Sequence, residues 1–142
     1  RHGYKLVVTQ THNQNVHLAT AAEAHPQRLD YWREKGREPL HFGSGRLVDV
    51  EPMMSFLQQQ GYRSVYLVAG PELLHDLLRH NYVQRYFTTI SHQLLAGSDF
   101  KTVLNGAELD EQGRLDLRGL CYMPPSEAEV GQWFAEFEPN HN

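Results

Sequence analysis

A chain of 142 residues is long enough to bury a core as one domain without help from disulfides or metal. Hydrophobic residues at 40% and charged residues at 21%, with no internal repeat or low-complexity run, mark a folding chain rather than a disordered one. The net charge of −4, with no run of Lys or Arg, argues against nucleic acid as a partner, and the apolar stretches are strand-sized, far short of the roughly 20 residues a membrane helix needs. A cytoplasmic location is expected, since no charged-then-apolar leader opens the chain and Cys121, the single cysteine, has no partner for an internal disulfide.

Two strands are expected first, over 5–9 (KLVVT), a β-branched run, and 16–20 (VHLAT), which alternates apolar with polar, separated by a polar turn over 12–15. Residues 25–36 (HPQRLDYWREKG) suit a short amphipathic helix, with Pro26 in its first turn, Leu29 and Trp32 one turn apart, and Gly36 as the stop. A third strand over 39–42 (PLHF) is broken by Gly43, Ser44 and Gly45. The next helix spans about 51–60, with Asp49 as N-cap, Pro52 in the first turn, Met53, Phe56 and Leu57 as its apolar stripe, and Gly61 ending it.

Residues 64–68 (SVYLV) form a nearly continuous apolar run, the pattern of a strand buried on both faces of a parallel sheet. Ala69, Gly70 and Pro71 lead straight into a helix reaching about His80, whose Leu73, Leu74, Leu77 and Leu78 repeat at helical spacing and belong to the core; Asn81 is its expected cap. A strand over 86–90 (YFTTI) follows, and 94–97 (LLAG) closes on a glycine turn. Residues 101–104 and 115–122 then read as an antiparallel pair joined through polar residues including Glu111, Gln112 and Gly113. Residues 127–137 fit a helix bearing Val130, Trp133, Phe134 and Phe137, or a last strand, with the helix preferred. Strand–helix repeats followed by antiparallel strands give a single α/β domain over 1–142, with a mostly parallel sheet flanked by helices and antiparallel C-terminal strands. Ligands are then expected at the carboxyl ends of the parallel strands.

The stretch from Ser64 to Leu78 carries the most chemistry, because an apolar strand there passes through a glycine turn directly into a helix. Without a Cβ at Gly70 a ligand can approach the backbone, and N–H groups of the first helical turn can hold phosphate oxygens. The plain alternative is a βα connection that needs a small residue at its turn, with Pro71 only starting the helix. Arg46, beside Gly43, Ser44 and Gly45, is placed to reach a phosphate such as the one that distinguishes NADPH from NADH, although a solvated loop arginine is the commoner situation. Thr20, Ala21 and Ala22, at the end of an earlier strand, are small enough to pack against an adenine or its ribose, or equally against a helix.

Nine histidines do not make a metal site, since none form the i, i+4 pair of a helical zinc site; His12 with His17 and His75 with His80 are each five apart. Glu72 and His75 share a helix face, where surface placement is the expectation, and Cys121 in an apolar strand reads as a small buried hydrophobe. No G-x-S-x-G, Walker loop or G-x-G-x-x-G occurs, so nucleophilic catalysis has no sequence support.

Taken in order, KLVVTQ, VHLAT, the strand ending in Gly43-Ser44-Gly45, and the run from VEPMMSFLQQQG through SVYLVAGPELLHDLL to LLAG resemble the C-terminal reductase domain of riboflavin biosynthesis, a dihydrofolate reductase-like family, over about residues 5–104. The resemblance implies NADPH as cofactor, with Gly70, Pro71, Glu72 and Leu73 matching the cofactor turn and Ala69 where its first glycine usually stands. It also implies that Thr20 and Ser44 line the adenosine end, with Arg46 near the extra phosphate. The implied substrate is a small heterocyclic or carbonyl molecule, a ribosylaminopyrimidine of riboflavin biosynthesis among them, although Val68 stands where such reductases commonly carry a glutamate. The family's opening strand, helix and next strand have no counterpart in this sequence, so no catalytic residue is assigned. Two readings stay open: a reductase whose upstream part lies outside this sequence, and a non-catalytic domain that keeps the fold as a binding module. A homodimer is the assembly that the resemblance implies.

Overall fold

The computed structural model describes residues 16–100 and 102–140, so the expected strand over 5–9 lies outside the described residues. Strand β1 (Leu18–Thr20) pairs in parallel with β2 (Pro39–His41), Leu18 opposite Pro39 and Thr20 opposite His41, and helix α1 (Pro26–Glu34) makes the crossover between them. Helix α2 (Val50–Gln59) follows, and the chain divides within it into two compact units, residues 1–56 and 57–142.

In the first unit α2 turns Phe56 onto the rings of Phe42 and His17, with centroids 5.4 and 5.2 Å away. Ala21 and Val50 are buried beside the sheet, whereas α1 buries no side chain at all. That helix is held by its ends. Pro26 supplies a preset φ at its start, and Gly36, at φ +72°, reverses the chain so that the Arg37 N–H reaches the Trp32 carbonyl at 3.0 Å. Gly61 at φ +84° ends α2 in the same manner, the Tyr62 N–H donating to the Leu57 carbonyl at 3.2 Å.

The second unit comprises α3 (Pro71–Arg79), β3 (Tyr86–Ser91), a single 3₁₀ turn (Asp110–Gly113), β4 (Leu115–Met123) and β5 (Gln132–Pro139). Leu77 and Leu78 of α3 are buried, as the leucine spacing requires, and Asn81 ends that helix in the left-handed region at φ +58°. The three strands form an antiparallel sheet in the order β3–β5–β4. Its register sets Ile90 and Tyr122 opposite Trp133, and Tyr86 and Leu117 opposite Phe137, all on one face. The opposite face carries Glu136, which pairs with Arg85, and Glu138, which accepts from the Arg118 Nε at 2.7 Å. A bulge between Leu117 and Gly119 takes up the register change and lets Arg118 turn to that charged side.

Four expectations are corrected. Residues 64–68 are not a strand: they run without pairing, and Tyr66 and Val68 are almost fully exposed. An apolar run becomes a strand only where a neighbour completes its hydrogen bonds, and no described strand does so here. Residues 127–137 contain no helix; β5 occupies the middle of the antiparallel sheet, because pairing on both sides outweighs the i, i+3, i+4, i+7 spacing of Val130, Trp133, Phe134 and Phe137. The partner of β4 is β5 and not residues 101–104, which form no strand over 102–104. The sheet is not mostly parallel among the described residues: one parallel pair stands beside a three-stranded antiparallel sheet, in a mixed α/β arrangement.

Candidate functional site

The carboxyl ends of β1 and β2 are laced together. Beyond the strand register, the Phe42 N–H donates to the Thr20 carbonyl at 2.8 Å, the Ala22 N–H to the Gly43 carbonyl at 3.1 Å, and the Glu23 N–H to the Gly45 carbonyl at 3.1 Å. The loop after Thr20 and the Gly43–Arg46 loop therefore form one surface, with Thr20 half-buried and Ser44 and Arg46 exposed on it. Gly43 makes the turn possible. Its φ is +126°, and a Cβ there would stand 2.8 Å from the Leu47 carbonyl oxygen, so a side chain would be strained and would also collide with the loop's return. Among the described residues Arg46 forms no hydrogen bond or ion pair, leaving its guanidinium to solvent or to an anion.

In the second unit, Ala69, Gly70, Pro71, Glu72 and Leu73 are contiguous at the start of α3. Gly70 is the N-cap with φ −72° and ψ 167°, and no side chain caps the helix. That conformation is open to any residue, so backbone geometry does not account for glycine here. Pro71 has no N–H to offer. The first helical hydrogen bond is from the Leu74 N–H to the Gly70 carbonyl at 3.2 Å, which leaves the Leu73 N–H ahead of the helical ladder and pointing out of its end. Glu72 places a carboxylate in the same turn, which complements the helix dipole but opposes a bound phosphate. Its Oε1 accepts from the Asn105 Nδ2 at 3.4 Å.

His75, expected at the surface, is instead the one buried polar side chain among the described residues, at 5% exposure. Its Nε2–H donates to the Ala107 carbonyl at 2.8 Å, and Nδ1 lies 3.3 Å from Asp76 Oδ1. Nothing in the local sequence announced this partner, since Ala107 is 32 residues away. His75 also forms part of the wall of an open depression of about 360 Å³, whose rim includes Leu104, Glu108, Leu109, Asp110 and Arg114. Cys121 is exposed on β4 rather than buried, on the same sheet face as its cross-strand neighbour Phe134, which is itself 42% exposed. No cluster of three metal-ligating side chains occurs among the described residues, and no helix there is long and apolar enough to cross a membrane.

Among the described residues, the first unit thus offers an arginine without a partner on a glycine loop, and the second a glycine-capped helix start whose Leu73 N–H lies ahead of the helical ladder. A family model described as the RibD C-terminal domain matches residues 1–125. No curated protein matches the chain.

Proposed function

The chain belongs to the RibD C-terminal domain family, a reductase-type family of riboflavin biosynthesis, and from that premise we propose that it binds NADPH and serves reduction of a small heterocyclic substrate, a ribosylaminopyrimidine being the first to test. The observation that carries the reading is the family match over 125 residues together with the Leu73 N–H of α3, which lies ahead of the helical ladder and has no partner among the described residues. NADPH would supply hydride, and this chain's own groups would do the binding. Leu73 offers its N–H to a phosphate oxygen, Gly70 leaves room for that oxygen, and Glu72 is held from the side by Asn105. Taken by itself, the first unit offers Arg46 for a charge-assisted bond to a nucleotide phosphate, the one that distinguishes NADPH from NADH being the first to test, with Thr20 and Ser44 on the same surface. The competing reading, a domain that keeps the fold without the chemistry, is favoured by no observation of these residues.

Calorimetric titration with NADPH and NADH tests the proposal. Binding of NADPH by the folded chain, its loss in Gly70→Val, and its preservation in Ala69→Gly are the expected results. Absence of NADPH binding by a chain shown to be folded by circular dichroism would refute the nucleotide assignment, and binding undisturbed in Gly70→Val would remove the α3 turn from the site. Turnover is then assayed by NADPH oxidation at 340 nm with a ribosylaminopyrimidine; absorbance at that wavelength falls only when hydride leaves the cofactor.

A further inference from the structure

The segment 104–107 crosses the first half of α3 and is tied to it three times. The Asn105 N–H donates to the Pro71 carbonyl at 3.3 Å, the Asn105 Nδ2 to Glu72 Oε1 at 3.4 Å, and the His75 Nε2–H to the Ala107 carbonyl at 2.8 Å. Of these the His75 bond is the shortest and the only one made by a buried side chain. It is therefore the bond least open to competition from water, and breaking it would strand a polar group in the interior. Gly106 completes the fit. Its Cα lies against the imidazole so closely that a methyl group there would fall inside the van der Waals envelope of Cε1, Nδ1 and Nε2 of the ring. Gly106 has no left-handed φ, and the three atoms nearest to an added Cβ all belong to the His75 ring, so it is close packing against that ring that excludes a side chain here.

We infer that His75 is a positioning residue: by pinning residues 104–107 across α3 it fixes the start of that helix, where Gly70 and Leu73 are assigned to a nucleotide phosphate. This rests on the phosphate assignment above and extends it to a residue one helical turn away from the phosphate that does not touch the nucleotide. The two Asn105 bonds act on Pro71 and Glu72 themselves, and the His75 bond keeps Asn105 in place. Releasing the strap frees the first turn to fray and takes Asn105 away from the Glu72 carboxylate, at the point where an acid opposes phosphate.

Three variants of the full chain separate positioning from mere filling of space. His75→Phe keeps a ring and loses the donor; His75→Gln restores an N–H at a similar reach; Gly106→Ala leaves His75 intact and displaces its ring. Amide hydrogen exchange of the nucleotide-free protein reads the clamp directly. In His75→Phe and Gly106→Ala, exchange of the Leu74 and His75 amides and of the Asn105 amide should rise together by about tenfold while β3 and β5 stay unchanged, with His75→Gln within about threefold of the parent. NADPH affinity should fall by up to about tenfold in the first two variants and recover in His75→Gln, since loss of one buried hydrogen bond worth roughly 1.4 kcal/mol weakens binding as far as it depopulates the ordered start of α3. Unchanged exchange at the start of α3 in His75→Phe overturns the inference, as does a His75→Gln protein as impaired as His75→Phe. A parent chain that binds no NADPH would refute the proposed function instead, and the exchange measurement would still decide the clamp.

Discussion

Gly70→Asp drives stability and binding in opposite directions and so isolates what the start of α3 is for. The cap position has φ −72° and ψ 167°, suited to aspartate, and α3 has no side-chain cap in the parent. Aspartate there can accept from the Leu73 N–H, complements the helix dipole and narrows the unfolded ensemble. Offset by repulsion from Glu72, these effects sum to about 1 kcal/mol of added stability, or roughly 3 °C in melting temperature for a chain of this size. Binding moves the other way, since the new carboxylate occupies the N–H assigned to phosphate. At about 5 Å and an effective dielectric near 20 the repulsion is roughly 3 kcal/mol, and about half of that after solvent screening, a loss of affinity of about tenfold or more. Thermal melts followed by circular dichroism and calorimetric titration with NADPH give the two numbers on one sample. A variant that melts higher and binds NADPH as tightly as the parent refutes the phosphate assignment; one that melts lower refutes the capping analysis.

Arg46→Ala should weaken NADPH by about tenfold or more and leave NADH nearly unchanged, as loss of one charge-assisted bond requires; competition titration with the two nucleotides measures it. Leu77→Ala, at a buried position of α3, should cost about 2–4 kcal/mol and lower the urea midpoint accordingly. Gly61→Ala should cost about 1 kcal/mol purely through the backbone, since φ is +84° and nothing lies within 4 Å of an added Cβ; chemical denaturation tests whether the loss is of that size. Leu117→Lys with Leu120→Lys should reduce concentration-dependent association in sedimentation experiments, because these leucines leave 54% and 58% of their surface exposed on an apolar sheet face.

Local chemistry was legible in the sequence wherever a single turn of chain decided the outcome. Pro26 and Pro71 start helices, Gly36, Gly61 and Asn81 end them at positive φ, and β1, β2 and β3 occupy the segments whose side chains alternate or branch. The residues of the loop after β1 and of the Gly43–Arg46 loop were identifiable too, because parallel strands carry their following loops to the same end. Partners distant in sequence decided the rest. SVYLV has the composition of a central strand and yet pairs with no described strand, since composition supplies apolar surface but not the neighbour that completes the hydrogen bonds. The 132–139 segment has helical spacing in its aromatic residues, but it lies between β3 and β4, and two ladders of hydrogen bonds outweigh one amphipathic stripe. His75 shows the same division. Its place on α3 follows from helical periodicity, while its burial depends on a carbonyl and a glycine some thirty residues onward, brought against it only when residues 104–107 fold across the helix.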